Sequence, residues 1–144
     1  MKIRALLDTN ILVAGLASQS GASFRLLQHA LDQKFVLLAS PALWLEYVAV
    51  LKRPEMLTLH GFTLAEVDNF LNGLATQVEP VTSHFLWRPQ LRDPNDEMVL
   101  EAAVNGLARS LVTVNVRDFE VIAERFGIEI CKPGQFLKLL EKTL

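Results

Sequence analysis

At 144 residues, 51% of them hydrophobic and with a net charge of −2, the chain is long enough for one domain with a substantial core and too apolar to be disordered. No apolar run reaches the ~18 residues of a membrane span, a lone Cys131 excludes an internal disulfide, and His29, His60 and His84 lie too far apart for a zinc site of ordinary spacing. The negative charge does not exclude a nucleic-acid partner, because drawing five of the 16 acids into one metal site would leave the rest of the surface net basic.

Lys2–Leu7 is a short apolar run that stops at an acid, shorter than a secretory signal requires. With the single cysteine, this predicts a cytoplasmic protein. The run reads as a buried strand, followed by a turn-like Asp8-Thr9-Asn10. Ser23–Leu31 has helical spacing, through Phe24, Leu27 and Leu31. Phe35–Leu38 is a second buried strand, and Ser40 with Pro41 opens a helix through Leu51. Thr63-Leu64-Ala65-Glu66 is a capping box, opening a helix that ends near Gly73 or slightly later.

Gln77–Val81 reads as a short strand. Asp93-Pro94-Asn95-Asp96 signals another helix start, with an apolar body over Met98–Val104 and a stop near Gly106. Ser110–Val114 is a strand, Phe119–Phe126 a helix and Ile128–Cys131 a last strand; Pro133 opens a terminal helix. Short apolar runs alternating with helices predict one domain over 1–144, a three-layer α/β/α sandwich around a mostly parallel sheet. Ligands of such sheets gather at the carboxyl ends of the strands. Asp8 follows the first strand, and Asn115 and Asp118 follow Ser110–Val114.

Each acid has an ordinary reading beside a functional one. Asp8 and Asn10 are suited to an Asx-turn or a helix cap. Glu46 lies in an almost wholly apolar helix, as a solvent-facing, paired or metal-bound carboxylate. Asp93 reads chiefly as an N-cap, and Asp96 and Glu97 suit the positive end of a helix. They project ~100° apart, so one of them would face a shared site. Asp118 and Asn115 are able to cap the helix that follows. What separates the readings is joint placement: acids after one strand, inside an apolar helix, at a helix start and after a later strand. Carboxylates without His or Cys partners suit Mg²⁺ or Mn²⁺, and such ions suit phosphodiester hydrolysis.

Leu6-Leu7-Asp8-Thr9-Asn10-Ile11-Leu12, the lone Glu46, Arg92-Asp93-Pro94-Asn95-Asp96-Glu97 and Leu111-Val112-Thr113-Val114-Asn115-Val116-Arg117-Asp118-Phe119 together resemble the PIN-domain family. The closer likeness is to its VapC-like toxins of prokaryotic toxin–antitoxin systems. The resemblance runs in order along essentially the whole chain. It implies a PIN-like fold, endoribonuclease activity dependent on one or two Mg²⁺ or Mn²⁺ ions, a homodimer and an inhibiting antitoxin protein. By position, Asp8, Glu46, a helix-start acid (Asp96 or Glu97) and Asp118 would be the metal and catalytic residues. Asn10, Asp93, Thr113 and Asn115 would support them. Many relatives have a single Asp opening the third motif before an apolar body. That alignment falls on Glu97, whereas residue type favours Asp96. Many also have an acid where this chain has Asn115, so a second ion would be held more loosely. Arg88, Arg92 and Arg117 lie near these acids and are expected to meet phosphate or to be solvated.

Other readings remain open on the sequence. An aspartyl-phosphate enzyme would want a second acid where Asn10 stands. A catalytically weak PIN-like module binding RNA or protein, or a solitary RNA-processing nuclease, would share the fold without the toxin role.

Overall fold

The computed structural model describes residues 2–82 and 91–144; Arg88 lies outside them. The elements are β1 (Arg4–Leu7), α1 (Thr9–Ala17), α2 (Ala22–Leu31), β2 (Val36–Ala39), α3 (Pro41–Leu51), α4 (Pro54–His60), α5 (Leu64–Ala75), β3 (Val78–Pro80), α6 (Pro94–Asn105), β4 (Ser110–Val112), α7 (Val116–Phe126), β5 (Glu129–Cys131) and α8 (Pro133–Glu141). The strands form one five-stranded sheet, ordered β3-β2-β1-β4-β5, with every neighbouring pair parallel.

Leu6, Leu7, Leu37, Leu38, Leu111 and Val112 are all fully buried. Successive strand residues point to opposite faces, so burial of adjacent pairs requires cover on both sides. Helices supply it, and the expected three-layer α/β/α sandwich is the fold observed. Burying such side chains contributes ~1.5–3 kcal/mol each, and an edge-on Phe35–Phe136 contact, with centroids 5.3 Å apart, extends the core to α8. No helix among the described residues is long and apolar enough to cross a membrane.

The helix starts follow from capping chemistry. Ser40 Oγ accepts from the Leu43 N–H at 3.1 Å, with Pro41 in the first turn of α3. Thr63 and Glu66 make both bonds of the capping box on α5. Three expectations are corrected. Asp8-Thr9-Asn10 is not a separate turn but the start of α1, capped by Asp8 itself. α4 follows Arg53 where no element was expected. α7 begins at Val116 rather than Phe119, because β4 ends at Val112 and the chain turns immediately into the helix. At the sheet edge, β3 tolerates Pro80, as an unpaired edge allows.

The strand order places a switch at β1. The chain proceeds from β1 to β2 on one side, while β4 takes the other. Right-handed crossovers in the two directions lie on opposite faces, which leaves a crevice at the carboxyl ends of β1 and β4.

Candidate active site

Leu7 carries β1 to the edge of the core, and Asp8 is the next residue out. Its N–H donates to Val112 O at 2.9 Å, adding one bond to the β1–β4 ladder. Its carboxylate accepts from Thr9 N–H at 2.8 Å on Oδ1, and on Oδ2 from Thr113 Oγ1 at 2.8 Å and Asn10 Nδ2 at 3.2 Å. An ionised carboxylate has ~four lone-pair positions, so these bonds fix its plane and leave little freedom to rotate. Burial is the largest influence on Asp8 and pushes its pKa above the ordinary value. The bonds from Thr113 and Thr9 oppose it, the charge of Glu46 adds to it, and Asn10 opposes it again. Asp8 is therefore both the cap of α1 and an acid at the crevice, and the two readings are not exclusive.

The bonds continue outward. Thr113, fully buried, accepts from Asn115 N–H at 3.0 Å while donating to Asp8. Asn10 Oδ1 accepts from Val114 N–H at 3.4 Å, tying the start of α1 to the end of β4. Glu46 stands half-buried on α3 and accepts from Thr9 Oγ1 at 2.6 Å. Next to it, the buried Tyr47 hydroxyl donates to Leu7 O. Burial, then the charges of Asp8 and Glu46, push that phenol well above its usual value, so it stays a donor. Thr9 and Tyr47 were not expected at the site. Their signal was adjacency: each directly follows a motif acid.

α6 and α7 form the facing wall. Asp93 caps α6 by accepting from Asn95 N–H at 2.8 Å. Asp96 and Glu97 then diverge. Glu97 Oε2 accepts from Leu91 N–H at 2.8 Å. Asp96, with Asp93 and Asp118, lines an open cleft of about 320 Å³ that also includes Leu91, Arg92 and Val121. Desolvation, followed by the charges of Asp93, Asp8, Asp118 and Glu46, raises the Asp96 pKa to about 6. Asp96 therefore lies within electrostatic reach of acids on both walls. Asn115, not Asp118, takes the cap position of α7, without a side-chain bond; Asp118 stands exposed in its first turn. Arg117 is exposed on that turn.

None of the four ion pairs among the described residues involves Asp8, Glu46, Asp96 or Asp118. Their donors are all carboxylate oxygens, backed by hydroxyls and an amide, a set that fits a hard divalent cation. As placed, no three acidic, His or Cys side chains among the described residues stand close enough to hold one ion. Gathering around a cation would need side-chain rotation, which the solvent-facing acids of α6 and α7 permit more readily than Asp8.

A family model described as PIN domain matches residues 4–117, from the first residue of β1 into the first turn of α7. The chain belongs to the PIN-domain family. PIN domains are generally nucleases and typically bind divalent metals. The matched span contains Asp8, Glu46, Asp93, Asp96 and Thr113 and stops one residue before Asp118. No curated protein gives a match. The PIN assignment and the oxygen-rich crevice at the switch point agree on the class of chemistry, cleavage of a nucleic-acid backbone.

Proposed function

We propose that this PIN domain is a Mg²⁺- or Mn²⁺-dependent endoribonuclease and the VapC-like toxin of a toxin–antitoxin pair. The observation that supports the activity best is the convergence of Asp8, Glu46, Asp96 and Asp118, from four separate elements, on one crevice. A bound divalent cation supplies Lewis-acid activation of water and offsets charge at the phosphate.

The residues divide the remaining work. Asp8 is the central ligand, with its plane already fixed by Thr9, Asn10 and Thr113. Glu46 is the second, steadied by the Thr9 hydroxyl. Asp96 is the ligand from α6, because Glu97 is engaged by the Leu91 N–H. Asp118 orients water at the open side of the cleft, and Arg92 and Arg117 receive the RNA backbone. Asn115 contributes no charge, which favours a single tightly held ion.

The toxin reading adds two protein contacts, a second copy and an antitoxin. What supports them is the outer side of α3, where Ala42, Leu45 and Ala49 are exposed, Leu45 to 67%, with Leu59 of α4 also 59% exposed. Apolar groups set out in this way suit a covered surface.

The reading is tested by incubating the purified chain with a panel of RNAs in EDTA and again with Mg²⁺ or Mn²⁺ restored. Cleavage should be absent in EDTA and return with either ion. RNA left intact under every condition would contradict it, and retained binding in that case would indicate a non-catalytic module.

A further inference from the structure

Beside the acidic crevice lies a second depression of about 580 Å³, lined by Val114, Lys132, Pro133, Gly134, Gln135 and Lys138. The sheet sets its position. β4 and β5 are neighbours, with Val112 opposite Cys131 and the Thr113 N–H donating to Cys131 O at 3.0 Å. Val114 and Lys132 thus leave the carboxyl ends of adjacent strands. Asp8, Thr113 and Lys132 follow β1, β4 and β5 in that order, which puts the Lys132 backbone roughly two strand spacings, ~10 Å, from Asp8.

Lys132 and Lys138 are exposed, and neither takes part in an ion pair among the described residues. A side chain at Gly134 would meet nothing within 4 Å, so the floor is open. Val114 is 47% exposed between the depression and the acids, and its N–H is held by Asn10. The attraction of this groove for an anion comes from the two ammonium groups rather than the helix end. α8 opens with Pro133, which has no N–H, and Gln135 Oε1 accepts the Lys132 N–H at 3.0 Å.

We infer that this groove is a backbone-binding subsite for single-stranded RNA, where Lys132 and Lys138 hold a phosphate next along the strand from the one in the acidic crevice. This rests on the nuclease reading of the crevice. A crevice of four carboxylates repels a polyanion, and binding there is favoured if nearby cations take the adjoining phosphates. Lys132 and Lys138 sit on the side of β4 away from α6, so with Arg92 on the α6 side they would bracket the crevice.

The test is a fluorescence-anisotropy titration of a short labelled single-stranded RNA in EDTA, where no cleavage intervenes, over a range of salt. Wild type is compared with K132Q/K138Q, with K132R/K138R as the charge-preserving variant and K2Q/K34Q as a control at the amino ends of β1 and β2, the other end of the sheet. We expect K132Q/K138Q to bind ~10-fold more weakly near 0.1 M salt, and its log–log salt slope to shrink by ~0.7 for the one phosphate no longer neutralised. The Arg variant and the distant control should match wild type. Equal affinity and slope for K132Q/K138Q and wild type would overturn the subsite and leave the groove to an acidic peptide. Absence of RNA binding by wild type would overturn it as well. If Mn²⁺-loaded wild type leaves RNA intact while the lysine effect persists, the nuclease reading fails and the subsite stands.

Discussion

Along the β1–α3 wall the acids are held in place: Asp8 accepts three hydrogen bonds and Glu46 accepts one from Thr9. Along the α6–α7 wall, Asp96 and Asp118 accept none among the described residues, and Asp118 is exposed. One wall fixes its carboxylates by hydrogen bonds, whereas on the other Asp96 and Asp118 are placed by their helices alone. A ligand with its plane fixed in advance loses little entropy on binding. Acids without such bonds lose more, but their side chains are free to turn as the charge at the centre changes.

The contrast predicts a hierarchy. Asp8→Asn should lower kcat/KM by at least ~100-fold, since loss of a group that only supports a metal ligand already costs ~10–100-fold. A titration of activity against Mn²⁺ would check it, and near wild-type cleavage would break the assignment of Asp8 as the centre. On the α6–α7 wall, Asp96→Asn should cost ~10–100-fold, while Glu97→Gln stays within about threefold. The reverse order in a side-by-side assay would transfer the ligand role to Glu97.

The supporting bonds give the next effect down. Thr113→Val and Thr9→Val should each weaken Mn²⁺ affinity ~10-fold, with kcat at saturating Mn²⁺ changed less. If both variants bind Mn²⁺ as wild type does, the bonds to Asp8 and Glu46 do not organise the site. The smallest effect concerns stability. Asp96 has a folded value of about 6 against 3.8 for a free aspartate. Its contribution is thus fully present below about pH 4 and lost as pH rises through about 6. In EDTA, Asp96→Asn should melt with wild type at pH 4 and a few degrees above it at pH 8. A constant difference across that range would show that the neighbouring acids do not load Asp96.

Much of the scaffold was legible because its signals are local. Ser40-Pro41, the Thr63–Glu66 box and Asp93-Pro94 each announce a helix through bonds made within one turn. β1 and β2 were legible as short apolar runs, with Arg4 the one charged residue inside β1. α1 was missed because the side-chain chemistry that begins a helix is the same as that which makes a turn, and Asp8-Thr9-Asn10 suits either. At the site, joint placement pointed to the acids, but the choice between Asp96 and Glu97 depended on Leu91, whose N–H no spacing rule brings to Glu97. Thr9 and Tyr47 escaped for the same reason, since their partners Glu46 and Leu7 lie 37 and 40 residues away.

The bond from Thr113 to Asp8 spans 105 residues, and β4, which carries Thr113 at its end, is the neighbour that completes the crevice. At ~5–20 residues per second of synthesis, Asp8 waits on the order of 5–20 s before the partner that orients it has been made. Asp96 and Asp118 also arrive late, so an unfinished chain carries Asp8 and Glu46 without the α6–α7 side of the crevice. The parallel sheet thereby acts as a timer: a nascent PIN domain has no assembled site until its last third has docked.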